Sequence, residues 1–130
     1  MDILKEKIKQ KALSLGFDTI GYTKPNVDDD TKKKYKEFLE KKFHGEMNWL
    51  ERHYEKKIDP KIIWCEVQTI IVLGLNYGPQ QNPLSKNNFK QIANSSVYAN
   101  NKDYHQVIRD KLKLMQIWFK NELKIDSKLF

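Results

Sequence analysis

Thr69-Ile70-Ile71-Val72-Leu73-Gly74-Leu75 is an apolar, β-branched run that ends at Asn76-Tyr77-Gly78-Pro79. A strand with one solvated face alternates apolar and polar side chains, so a run without alternation predicts burial on both faces. Residues 69–76 are therefore expected to form the buried central strand of a small sheet. Before it, Asp59-Pro60 is the start of a short helix that delivers Ile62, Ile63 and Trp64. Phe17-Asp18-Thr19-Ile20-Gly21-Tyr22 reads as a second short strand, closed by Lys24-Pro25.

Helices fill the rest. Ile3, Leu4, Ile8, Ala12 and Leu15 recur at helical spacing over about four turns, with Gly16 as the candidate C-cap. Asp28, Asp29 and Asp30 offer N-caps to a helix carrying Tyr35, Phe38, Leu39 and Phe43 on one face. His44-Gly45 breaks that helix, and Met47, Leu50 and Tyr54 suggest another. After the central strand, residues 80–94 are polar, Asn-rich and without periodicity, the pattern of a long surface loop. Ser96-Val97-Tyr98-Ala99 suggests a short strand, and Asp103 with Gln106 three residues on has the pattern of a capping box. Val107, Ile108, Leu112, Leu114, Met115, Trp118 and Phe119 then give a long helix whose apolar face is wide enough to need cover on more than one side. Lys124 to Phe130 reads as a turn entering a new strand. The class expected is mixed α/β (α+β), helices packed on a small sheet, and the ending suggests the front part of a larger fold.

With 130 residues, 39% of them hydrophobic and 12% aromatic, the chain suits one packed core, expected as a single domain over 1–130. No window approaches the length of apolar sequence that a membrane span needs, and no charged n-region leads into an apolar h-region. A cytoplasmic location is the expectation. Cys65 is the single cysteine, which excludes an internal disulfide, a Cys-x-x-Cys pair and an iron-sulfur cluster held by this chain alone. Its position after Trp64 and before the strand favours core packing over nucleophilic work. The net charge of +7 points towards a polyanion, but only Arg52 and Arg109 carry the guanidinium fork that reads phosphates and guanines bidentately. Fifteen basic and thirteen acidic residues lie in 1–67, against nine and four in 68–130, so a polyanion-facing surface belongs to the second half.

Several chemistries drop out. His44, His53 and His105 show no i,i+4 ligand spacing, and there is no Gly-x-Ser-x-Gly elbow, no Gly-x-Gly-x-x-Gly and no Walker loop. No metal site is expected. Ligands of open α/β sheets sit beyond strand ends, which makes Asn76 and Tyr77 candidates, although position alone favours a turn Asn and a packed Tyr. Tyr98, Asp103, Tyr104 and His105 form the denser constellation, within Tyr98-Ala99-Asn100-Asn101-Lys102-Asp103-Tyr104-His105. His105 falls in the first turn of a helix, where the positive helix end disfavours imidazolium. From the residues alone this is either a site or a helix start.

Leu15-Gly16-Phe17-Asp18, His44-Gly45-Glu46-Met47-x-x-Leu50-x-Arg52-His53, Asp59-Pro60, Ile71 to Pro79, and Val97-Tyr98-Ala99-x-x-x-Asp103-Tyr104-His105 occur together in order. As a set they resemble the amino-terminal domain of epoxyqueuosine reductase, over essentially all of this chain and about the first third of that family's enzymes. The resemblance implies a cobalamin-dependent iron-sulfur oxidoreductase that reduces epoxyqueuosine to queuosine at the tRNA wobble position. It implies a cobalamin-binding-type α/β region here, with two [4Fe-4S] clusters in a ferredoxin-like region and helical repeats elsewhere. Cobalamin would be bound by Tyr98, Asp103, Tyr104 and His105, with Asn76 and Tyr77 also near the pocket.

The departures from the family are equally specific. The family's proton-donor Asp follows the strand that Lys128-Leu129-Phe130 would enter, and Asp126 comes too early to be it; no catalytic residue is therefore expected within this chain. The cluster cysteines are absent, and Cys65 stands where relatives carry Pro. Three readings follow. The chain is an amino-terminal part of the reductase, inactive alone; or half of a split enzyme completed by a separate cysteine-rich polypeptide; or a non-catalytic module that binds tRNA or a corrinoid.

Overall fold

The computed structural model describes residues 3–130 other than 89, 92, 94, 100 and 101, and the backbone alone of residue 86. Asn100 and Asn101 of the candidate constellation, and Phe89, Ile92 and Asn94 of the polar loop, thus lie outside the described residues. In chain order the elements are α1 (Ile3–Ser14), β1 (Thr19–Thr23), α2 (Asp29–Glu40), a 3-10 turn (Asn48–Leu50), α3 (Tyr54–Ile58), α4 (Pro60–Ile63) and β2 (Ile70–Gly74). Two further 3-10 turns (Pro83–Lys86 and Val97–Ala99), α5 (Tyr104–Trp118) and a π turn (Phe119–Leu123) complete the chain. The class is the one expected, helices with a small sheet. No described helix is long and apolar enough to cross a membrane.

β1 and β2 pair with each other as a two-stranded sheet, antiparallel because Asp18 N–H, before β1, donates to the carbonyl of Gly74 at the end of β2, at 2.9 Å. The chain divides into two compact units, residues 1–20 with 73–130, and residues 21–72.

In the first unit the buried apolar side chains are Ile8 and Ala12 of α1, Phe17 after it, and Met115 and Phe119 at the far end of α5 and into the π turn. Gly16 ends α1 at φ +83°, a left-handed conformation that glycine adopts without the penalty of a Cβ. That ending leaves carbonyls at the negative end of α1, and Lys111 of α5 donates its ammonium to the carbonyl of Leu15 while lying 6.0 Å from the centre of the Phe17 ring. A Cβ on Gly16 would stand 2.6 Å from Lys111 Nζ, so the glycine serves both the turn and the approach of the lysine.

In the second unit Asp28 caps α2, accepting the Thr31 N–H at 2.8 Å and its hydroxyl at 2.7 Å. The Thr31 hydroxyl, and then its N–H, hold the Asp28 carboxyl below the usual carboxylate range. The apolar face of α2 builds an aromatic cluster: Tyr35 stacks on Tyr54 at 5.7 Å, and Phe43 meets Phe38 edge-on at 6.1 Å. The Tyr35 hydroxyl donates to the carbonyl of Leu50 at 2.7 Å, tying α2 to the 3-10 turn. His44 is buried at 4% exposure, with Nε2 3.0 Å from Glu51 Oε1.

Four expectations from the sequence are corrected. β2 is neither central nor buried on both faces, and Val72 is 57% exposed, because β1 is the one strand paired with it among the described residues. Val97–Ala99 is a 3-10 turn closed by the Ala99 N–H on the Ser96 carbonyl at 2.9 Å, the local alternative open to a short apolar run without a strand partner. Residues 124–130 form no strand: Lys124 turns left-handed at φ +55°, and the Gln116 side chain donates to the Ser127 carbonyl at 2.7 Å, tying the segment to α5. Cys65 is exposed, in a turn where the Val67 N–H reaches back to the Trp64 carbonyl, rather than packed in a core. By contrast α5 has the width of face expected of it: Met115 and Phe119 are buried, while Leu114 and Ile117 remain exposed.

Candidate functional site

The constellation at the start of α5 is held by a short chain of contacts. Asp103 precedes the first helical residue with non-helical backbone, φ −52° and ψ 113°, and its Oδ1 accepts the His105 N–H at 3.0 Å. The N-cap expected from the sequence is present, but the reciprocal half of a capping box is not, because the Gln106 amide turns along the helix to Asp110 Oδ1 at 2.7 Å. Asp103 Oδ1 also lies 2.9 Å from His105 Nδ1. The His105 ring, then its N–H, and more weakly its charge and that of Arg109, hold the Asp103 carboxyl below its ordinary range.

Rings extend the cluster. Tyr104 stacks against His105 with centroids 4.0 Å apart and 26° between planes, and Tyr98 meets Tyr104 edge-on at 6.4 Å. All three rings are exposed, Tyr98 at 57%. The structure therefore joins Tyr98, Asp103, Tyr104 and His105 into one group. Arg109, which the sequence marks only as one of two guanidinium forks, lies one turn along from His105, and i,i+4 spacing on a helix is the signal that joins it to this group.

The contacts of Asn76 run instead to the end of the ribbon. Its N–H donates to Asp18 Oδ2 at 2.6 Å, and its own Oδ1 accepts the Gly78 N–H at 2.9 Å. That is the turn asparagine that position alone favoured. Tyr77 is not the packed tyrosine of that reading, being 62% exposed beyond the strand end. Among the described residues no group of three or more His, Cys, Asp or Glu side chains is placed to hold one metal ion.

Residues 57–130 match the family described as "Epoxyqueuosine reductase QueG, DUF1730", more than half of the chain. This chain belongs to the epoxyqueuosine reductase family. Curated epoxyqueuosine reductases support the assignment: that of Cellulophaga algicola is 33% identical over 116 residues, covering 89% of this chain and 36% of the relative. That of Escherichia coli is 33% identical over 112 residues, covering 85% of this chain and 29% of the relative. A solved structure, epoxyqueuosine reductase from Streptococcus thermophilus, superposes with a TM-score of 0.70 at 25% identity, over 92% of this chain and 32% of that one. The chain thus spans about a third of the length of these epoxyqueuosine reductases.

The cofactor that the family resemblance implies is cobalamin, whose macrocycle carries a rim of amide groups. Two exposed tyrosine hydroxyls and an imidazole offer that rim donors and acceptors, and their ring faces offer apolar surface. Exposed as they are, these side chains offer a ligand one wall and not an enclosure. Two concavities, of about 440 and 350 Å³, are lined by other residues, one by Ile3, Glu6, Lys7 and Gln10 and the other by Gln116, Ile117, Lys120, Ile125, Asp126 and Ser127.

Proposed function

We propose that residues 1–130 act as one amino-terminal domain of an epoxyqueuosine reductase, contributing to the reduction of epoxyqueuosine to queuosine at the wobble position of a cytoplasmic tRNA. The observation that carries this is the family match over 57–130, which contains the whole Tyr98–His105 group. In this reading Tyr98, Asp103, Tyr104 and His105 form a wall for cobalamin, with Asn76 and Tyr77 as further cofactor contacts from the end of β2. Cobalamin supplies the reducing cobalt centre when bound. The residues of this chain bind and orient; none is assigned the proton transfer to the departing oxygen. Cys65 alone cannot hold a [4Fe-4S] cluster, which takes several thiolates, so electrons reach the site from a cysteine-rich region outside these residues.

The test is a chimaera in which this chain replaces the matching third of the Escherichia coli relative, in a strain without its own reductase. Queuosine should reappear in tRNA with the chimaera, and epoxyqueuosine should persist when the 130 residues are supplied alone. A chimaera that is soluble, binds its clusters and still leaves only epoxyqueuosine refutes the reading.

A further inference from the structure

Asp103 does more than start α5. One oxygen, Oδ1, serves both the backbone N–H of His105 at 3.0 Å and the ring Nδ1 at 2.9 Å. An ionised carboxylate has no proton to give, so Nδ1 is the donor in the second contact. The lowered acidity range of Asp103 keeps it ionised at neutral pH, consistent with that polarity. A neutral imidazole carries a single N–H, and committing it to Asp103 leaves Nε2 with a free lone pair. The ring plane is set as well, because Tyr104 stacks on His105 at 4.0 Å and is itself met edge-on by Tyr98. Helix capping alone explains the bond to the backbone N–H; it does not require the ring contact, the shared oxygen or the aromatic stack.

We propose that Asp103 is a positioning residue: it selects the Nδ1–H tautomer of His105 and so makes Nε2 the hydrogen-bond acceptor that this aromatic face offers to an N–H or O–H group of a bound ligand. Within the proposed wall Asp103 thus serves by orienting His105, and the contact with the ligand is made by Nε2. The ligand half of this inference rests on the reading of the face as a cobalamin wall, whereas the tautomer half stands on the geometry.

Two measurements separate the halves. Long-range proton–nitrogen correlation spectra of the 15N-labelled chain at about pH 8.5, above ordinary imidazole titration, report which ring nitrogen carries the proton. The wild type should show Nδ1–H. Asp103→Ser keeps a good helix cap on a shorter side chain, and should return the ring to the Nε2–H form that unassisted histidine favours. Asp103→Asn, whose amide oxygen can accept from both donors, should restore the wild-type tautomer. Nε2–H in the wild type, or no change in Asp103→Ser, overturns the proposal.

In absorbance titrations with hydroxocobalamin, His105→Ala and Asp103→Ser should each weaken binding about tenfold, the scale of one lost hydrogen bond. The double variant should be no weaker than His105→Ala. If Asp103→Ser weakens binding equally in the His105→Ala background, Asp103 acts directly and the proposal fails. Absence of any cobalamin binding by the wild-type chain counts against the cobalamin wall, while the spectra still decide the role of Asp103.

Discussion

Gly74 closes the ribbon against Thr19, and replacing it with alanine tests how tightly the end of β2 is registered. The backbone of Gly74 is not in the left-handed region, so alanine brings no strain of φ there. The cost is steric: the new Cβ would overlap the Cγ2 methyl of Thr19, while Thr19 Cβ would stand at an ordinary 3.8 Å. Threonine is restricted about χ1, and turning the methyl away costs about 0.5–1.5 kcal/mol, or about 1–3 kcal/mol if the strands must shift. Against this, alanine lowers the entropy of the unfolded chain and returns about 0.4–1 kcal/mol. At central values Gly74→Ala should therefore destabilise the chain by about 0.3 kcal/mol if the methyl turns away and by about 1.3 kcal/mol if the strands shift, with a fall in Tm of about 3–5 °C per kcal/mol at this length.

Thr19→Ala removes the obstructing methyl and leaves only the 3.8 Å Cβ neighbour. In that background the same Gly74→Ala substitution should be neutral or stabilising, a reversal of sign worth about 1–3 kcal/mol in a double-mutant cycle. Urea unfolding of the four proteins, followed by circular dichroism, gives the coupling directly. Equal effects of Gly74→Ala in both backgrounds would show that the close approach of Thr19 to Gly74 does not hold the ribbon.

Tyr35→Phe removes the bond to the Leu50 carbonyl, which Lys57 Nζ still serves at 2.8 Å, so the loss should be about 0.5–1 kcal/mol in the same assay, and a loss above about 2 kcal/mol contradicts that accounting. Asp28 titrates below its unfolded value, so the stability it contributes is complete above the unfolded pKa of about 3.9 and is lost as pH falls through the lower folded value. Asp28→Asn, which also caps well, should leave Tm at pH 7 nearly unchanged and flatten its fall as the pH drops below about 4; parallel Tm curves for the two proteins would exclude the linkage.

The features legible in the sequence are those set by neighbours a few residues apart. Asp28 and Asp103 were readable as N-caps because a cap depends on the next turn of chain, and Gly16 as a helix end because only a residue tolerant of positive φ fits there. Periodicity placed α2 and α5, and the apolar run placed β2 as a strand. The motif set from Leu15-Gly16 to His105 carried the family, since residue identity at fixed spacing survives when composition says little.

Burial and partner choice needed the fold. The run at 70–74 has the composition of a two-faced core strand, yet how much of it is covered depends on which strand lies beside it, and here β1 is the paired neighbour. Ser96–Ala99 and Lys124–Phe130 were short enough to be strand, turn or extended chain, and a bond within four residues or to Gln116 decided them. Sequence alone could place Lys111 on a helix, but not its ammonium on the Leu15 carbonyl 96 residues earlier. Nor could it turn His105 so that Nδ1 meets Asp103 and the ring lies on Tyr104. The sequence determined local conformation and family because both are written in residue types and short spacings. The tertiary structure decided exposure, registry and which side chains meet, because these depend on groups that the backbone brings together in space.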